Sequence, residues 1–182
     1  MSIKYLPNTL SFLRLLLVIP FIFFFLSAKF KITFAIFIIA ALTDALDGWI
    51  ARYFNCQTQF GLIIDPLADK ILIVSCFVLL GYHQVLPLWI VVIVLTRDLA
   101  ITFGAFISLY VLKKPHPLYP SLLSKLNTFL QLLLILSCLS HLTYYHLPPS
   151  YLHFLETLVT LTTVSSFLHY LWVWRQELNI KR

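Results

Sequence analysis

Asp44, Asp47, Asp65 and Asp69 put four of the chain's seven carboxylates into one short stretch of an otherwise almost continuously apolar sequence. A charged side chain deep in hydrocarbon costs about 3 kcal/mol or more, so such residues mark functional sites by default. Asp44 and Asp47 are three residues apart and Asp65 and Asp69 four apart, so on helices each pair shares a face. Ionised together without a cation, the four would repel one another and resist desolvation. Hard divalent cations take oxygen ligands and also bind phosphate oxygens, which resolves both problems. Four acids can hold two ions roughly 3.5–4 Å apart, clamping the attacking and leaving oxygens of a displacement.

The neighbours of the aspartates add to this. Gly48 and Gly61 are two of only four glycines in the chain. Glycine inside a helix costs about 1 kcal/mol against alanine, so two in this stretch suggest close approach of a bulky ligand to the backbone. Arg52 offers a planar donor fork suited to phosphate oxygens. Metals, phosphate donors and small residues together point to phosphoryl transfer onto or within a lipid. Paired aspartates could instead serve a proton relay or ion pathway in a small transporter. A relay needs neither Arg52 nor the two glycines.

The elements that must position these residues follow from composition. The chain is 60% apolar and only 11% charged, with a mean hydropathy of +0.92, against roughly 25% charged in soluble domains. Apolar runs long enough to cross a bilayer recur along its length, which predicts an integral membrane protein. Backbone satisfaction restricts such spans to helices or closed barrels, and continuous rather than alternating runs exclude the barrel. The expected fold is all-α, one domain over residues 1–182, with six transmembrane helices at about 10–26, 32–51, 61–82, 88–112, 122–142 and 151–174. A short amphipathic segment at 4–11 precedes them, with Pro7 and Asn8 marking a turn or helix start. Pro66 signals either a helix beginning later than Gly61 or a kink.

The start of the chain superficially resembles a secretory signal, but Arg14 lies too far into the apolar run and no clear cleavage site follows. With six spans, Lys4, Arg52, Lys113, Lys114, Arg175, Lys181 and Arg182 fall on one side and only Lys29 and Lys31 on the other. Both termini and all four motif aspartates are therefore expected at the cytoplasmic face. The net charge of +6 is spread singly over span ends, without the basic stripe of a nucleic-acid binder. Cys56, Cys76 and Cys138, and the six histidines, show no metal-ligand spacing. Arg14 is expected to anchor at the membrane interface, the alternative being a place facing a basic pocket with Arg97 and Lys125.

The pattern Asp44-x2-Asp47-Gly48-x2-Ala51-Arg52-x8-Gly61-x3-Asp65-x3-Asp69 resembles the signature of the CDP-alcohol phosphatidyltransferase family and fills it without departure. The similarity extends over most of the chain. Residues 6–14 look like the family's N-terminal segment, and the run Asp65-Pro66-Leu67-Ala68-Asp69-Lys70, Thr96-Arg97-Asp98 and Ser124-Lys125-Leu126-Asn127-Thr128 look like the branch that makes phosphatidylglycerol-type lipids. The resemblance implies a six-helix enzyme, commonly a homodimer, that moves a phosphatidyl group from a CDP-linked lipid to an alcohol and releases CMP. It implies that Asp44, Asp47, Asp65 and Asp69 lie at the divalent ions, Mg²⁺ or Mn²⁺ and two in number, with Asp69 as general base. Gly48, Ala51, Arg52 and Gly61 would line the CDP pocket.

Arg97 and Lys125 are expected to project into a basic pocket for the acceptor's phosphate. Arg97 beside Asp98 could instead be a self-compensated pair packed in the bundle. The expected donor is CDP-diacylglycerol. The acceptor is glycerol 3-phosphate, narrowly preferred, or phosphatidylglycerol, which would make the chain a cardiolipin synthase. Arg97-Asp98 and Asn127 resemble the latter branch. Membrane lipids are the surroundings, and no nucleic acid partner is expected.

Overall fold

Long apolar runs broken by short polar connections give six helices and no strand among the described residues: α1 (Leu6–Leu26), α2 (Phe30–Tyr53), α3 (Gly61–Tyr82), α4 (Leu88–Phe106), α5 (Leu122–Thr143) and α6 (Pro149–Asn179). The computed structural model describes residues 6–53, 61–106, 122–144 and 146–179, with side chains over 12–44, 70–104, 122–144 and 146–176. Residues 54–60 of the connection expected at 52–60, the proline-containing loop expected at 113–120 and the end of the fourth span lie outside them.

The helix ends differ from the expected spans in ways the backbone explains. α1 starts at Leu6, so the lead-in and the first span are one helix. Pro7 then sits in its first turn, where the missing N–H has no helical partner to lose. Lys31 belongs to α2 rather than to the connection. That connection is tight because Ala28 takes a left-handed conformation (φ 56°). There Lys29 N–H donates to Phe24 O and Ala28 N–H to Phe25 O, both at 3.0 Å, a Schellman closure normally built with glycine. α3 begins at Gly61, so Pro66 lies in its second turn. α6 continues past Trp174 to Asn179.

The chain divides into two compact units, residues 1–83 with 138–146 and residues 84–137 with 147–182. In the first, α1 packs against both α2 and α3. The buried face of α1 carries Arg14, Val18, Phe21 and Phe25, and that of α2 carries Thr33, Ile36, Phe37 and Ala40. Both runs follow the helical repeat. α3 contributes Leu72, Ile73, Cys76, Phe77 and Leu80.

In the second unit α4 packs against α6; Ile90 and Val94 of α4, Leu155 and Val159 of α6 and Leu134 and Ile135 of α5 are buried. Gly104 lies against the Tyr170 ring, where an added Cβ would overlap the tyrosine hydroxyl.

Large apolar side chains also face outward on every helix, among them Ile19, Leu42, Val78, Val92, Phe129 and Leu161. Among the described residues one helix, Leu122–Thr143, is long and apolar enough to cross a membrane by the criteria of length and composition.

Candidate functional site

The described part of the aspartate site is built by α1 and α2. Ala40 is buried on α2, and Asp44 lies one turn further along the same face. Val18 is buried on α1, and Arg14 lies one turn before it. The helices are joined by a three-residue connection. Arg14 is twelve residues before the end of α1 and Asp44 fourteen after the start of α2. At 1.5 Å per residue these are about 18 and 21 Å from the turn, so the two side chains meet at similar depth. Arg14 Nη1 and Asp44 Oδ1 form an ion pair at 2.6 Å.

The pair is asymmetric: the arginine side chain is 0% exposed and the aspartate 45%. Arg14 is therefore a buried partner of a motif aspartate, not an interfacial anchor. An uncompensated buried guanidinium is costly, and a carboxylate at this depth supplies the compensation. The signal was available in the helical register, because residue 14 continues the stripe of residues 18, 21 and 25.

Asp47, Gly48, Ala51 and Arg52 follow on the last two turns of α2, and Gly61, Asp65 and Asp69 on the first third of α3. Their backbones are helical, so Asp44 with Asp47 and Asp65 with Asp69 each fall on one face by helical period. The side chains from 45 to 69 lie outside the described residues. Asp65 and Asp69 occupy register positions seven and three residues before Leu72, which is buried.

Among the described residues no three potential metal ligands come together; the side chains of Asp47, Asp65 and Asp69 lie outside them. Asp44, the one that is described, can offer oxygen to a hard divalent cation, because it is a carboxylate with a 45% exposed side chain although Oδ1 is already paired with Arg14.

A second polar cluster joins α4, α5 and α6. Arg97 and Asp98, each 2% exposed, pair at 2.7 Å. Arg97 Nη2 also donates to Ser124 Oγ at 2.7 Å and to Ser166 Oγ at 2.6 Å. One helical turn along α5 and α6, Asn127 Oδ1 accepts from Thr163 Oγ1 at 2.8 Å, with Thr162 Oγ1 at 2.9 Å.

Arg97 Nε, Asn127 Nδ2 and both amide atoms of Gln131 are buried without a hydrogen-bond partner among the described residues. Lys125 lies on the exposed side of α5, so it does not share the enclosed setting of Arg97. Ser166, Thr163 and Gln131 were not singled out from sequence. Their signal is polar residues at helical spacing (Ser124, Asn127, Gln131; Thr163, Ser166) within apolar helices.

At the turn end of the first unit, a groove of about 480 Å³ lined by Lys29, Lys31, Leu142 and Thr143 contains none of the motif residues.

Comparison with known proteins gives the context for this geometry. The CDP-alcohol phosphatidyltransferase profile matches residues 4–172. The human cardiolipin synthase (CMP-forming) is 31% identical over 189 residues, covering 96% of this chain and 63% of that protein. The CDP-diacylglycerol--glycerol-3-phosphate 3-phosphatidyltransferase of Wigglesworthia glossinidia brevipalpis is 37% identical over 146 residues, 76% of this chain and 78% of its own. A probable phosphatidylglycerophosphate synthase of Mycobacterium tuberculosis is 40% identical over 103 residues, 53% of this chain and 49% of its own. The chain thus spans less than two thirds of the length of the cardiolipin synthases it matches. With the profile running through both compact units and the aspartate pairs on successive helices, the chain belongs to the CDP-alcohol phosphatidyltransferase family.

Proposed function

We propose that the chain is a membrane enzyme of phospholipid synthesis that transfers the phosphatidyl group of CDP-diacylglycerol to a glycerol hydroxyl and releases CMP. The observation that carries this reading is Asp44, held on α2 by buried Arg14 at the head of an intact aspartate motif. Asp47 is seventeen residues after the start of α2, and Asp65 seventeen before the end of α3. At 1.5 Å per residue both are about 26 Å from those ends, which supports convergence of the two pairs at one depth.

Asp44, Asp47, Asp65 and Asp69 would hold divalent cations, Mg²⁺ or Mn²⁺ and two in number, which supply charge neutralisation to the diphosphate when bound. Arg52 would grip diphosphate oxygens with its fork. Gly48, Ala51 and Gly61 would leave room for the nucleotide beside the helices. Asp69 takes the proton of the acceptor hydroxyl, whose oxygen bonds to the phosphatidyl phosphorus. The bond from that phosphorus to the bridging oxygen breaks, and this oxygen leaves with CMP. A carboxylate within hydrogen-bond reach can contribute about 10²–10⁴-fold as such a base.

Phosphatidylglycerol is the acceptor that the charge balance favours. Arg97 and Lys125 remain the proposed phosphate contacts, but the Arg97 charge is already compensated by Asp98 at 2.7 Å. A phosphodiester carries one negative charge and suits such a pair better than a phosphomonoester carrying about two. The match to the human cardiolipin synthase over 96% of this chain points the same way. The second reading, glycerol 3-phosphate, is supported by the higher identity to the Wigglesworthia enzyme.

The outward apolar faces of all six helices support a multi-pass bundle, since exposed apolar area on this scale is abnormal in water. Both termini and the aspartates would lie on the cytoplasmic side, in a single family domain that works as a homodimer. The test is a paired assay of purified protein with labelled CDP-diacylglycerol and each acceptor. Cardiolipin as the main product supports the charge argument, and phosphatidylglycerophosphate as the main product overturns it.

A further inference from the structure

We infer that Arg14 is a positioning residue for the metal site, acting through Asp44. This rests on the proposed role of Asp44 as a cation ligand. The guanidinium is 0% exposed and lies 2.6 Å from Oδ1, so it cannot swing into solvent to make way for an ion. A carboxylate held through one oxygen can present its second oxygen to a cation. Groups that hold a ligand in this way fix its orientation, and losing them typically weakens metal binding about 10- to 100-fold.

The depth match explains why an arginine serves. The interhelical turn sets Arg14 and Asp44 at corresponding heights on buried faces. A lysine at position 14 would retain the charge but as a compact, strongly hydrated ammonium on a flexible stem. α1, which carries none of the four motif aspartates, thereby sets the geometry of one of them. It is also the helix that packs on both aspartate-bearing helices, so movement of α1 would be felt at the site.

The experiment uses the full chain in detergent and follows Mn²⁺ binding by the electron paramagnetic resonance signal of free Mn²⁺, without any substrate. Wild type, Arg14→Met, Arg14→Lys and Asp44→Asn are compared, with the melting transition of each metal-free protein recorded to establish folding. Arg14→Met is expected to weaken Mn²⁺ binding about 10- to 100-fold, and Arg14→Lys about 3- to 10-fold. A folded Arg14→Met protein that binds Mn²⁺ as tightly as wild type, or more tightly, overturns the inference while leaving the metal reading intact. If Arg14→Met does not fold, wild-type affinity in Arg14→Lys overturns it equally. Failure of wild type itself to bind Mn²⁺ overturns the proposed metal site, and the role of Arg14 with it.

Discussion

Removing Asp98 tests the second polar cluster most sharply. Arg97 and Asp98 are both 2% exposed and 2.7 Å apart, so solvent screening takes little from their attraction. At an effective dielectric of 20, unit charges at that distance attract by about 6 kcal/mol, and desolvation offsets part of this. Breaking such a buried pair from one side typically costs about 3–5 kcal/mol, because the remaining charge is stranded. Among the described residues Asp98→Ala leaves Arg97 the hydroxyls of Ser124 and Ser166, which do not neutralise it.

At about 2–4 °C per kcal/mol for a chain of this size, the expected fall in melting temperature is about 10 °C. The double variant Arg97→Met/Asp98→Ala removes the stranded charge and should recover most of that loss. Thermal unfolding in detergent, followed by tryptophan fluorescence, measures both. The restored double variant should still show a raised KM for the acceptor and a nearly unchanged KM for CDP-diacylglycerol. Additive destabilisation by the two substitutions would refute the pairing argument. Equal effects on both KM values would refute the acceptor role of Arg97.

Asp69→Asn should lower CMP release about 10²–10⁴-fold, the usual contribution of a general base, with the metal-free melting temperature nearly unchanged. Chelation with EDTA should abolish turnover, and either Mg²⁺ or Mn²⁺ should restore it; full activity after exhaustive chelation would remove the metal from the account. Gly104→Ala should destabilise by about 1–3 kcal/mol through overpacking, since its Cβ would overlap the Tyr170 hydroxyl. Tyr170→Phe should relieve part of that cost, and the melting temperatures of the single and double variants measure it.

Helix number and order were legible because apolar run length and proline-marked connections are local properties. The ends were less so. Pro7 reads as a helix start wherever it falls in a first turn, and only the backbone shows that Leu6 already belongs to α1. Within the site, the aspartate motif stood out because carboxylates are conspicuous in apolar sequence, and their helical placement followed from spacing.

Arg14 was misread because a lone cation near a chain start suits an interface equally well. Choosing between the two required the depth match across the α1–α2 turn, which depends on where that turn closes. Arg97 was singled out, but its partners Ser124 and Ser166 lie 27 and 69 residues away. Such pairings follow from how α4, α5 and α6 pack, which no local pattern specifies.

The most direct measurement is the release of CMP by the purified chain from CDP-diacylglycerol in the presence of Mg²⁺ or Mn²⁺ and a glycerol-bearing acceptor. The expected result is CMP and new phospholipid in equal amounts, both dependent on the metal and on Asp69. Absence of CMP with both phosphatidylglycerol and glycerol 3-phosphate, from protein shown to be folded and to bind Mn²⁺, would contradict it.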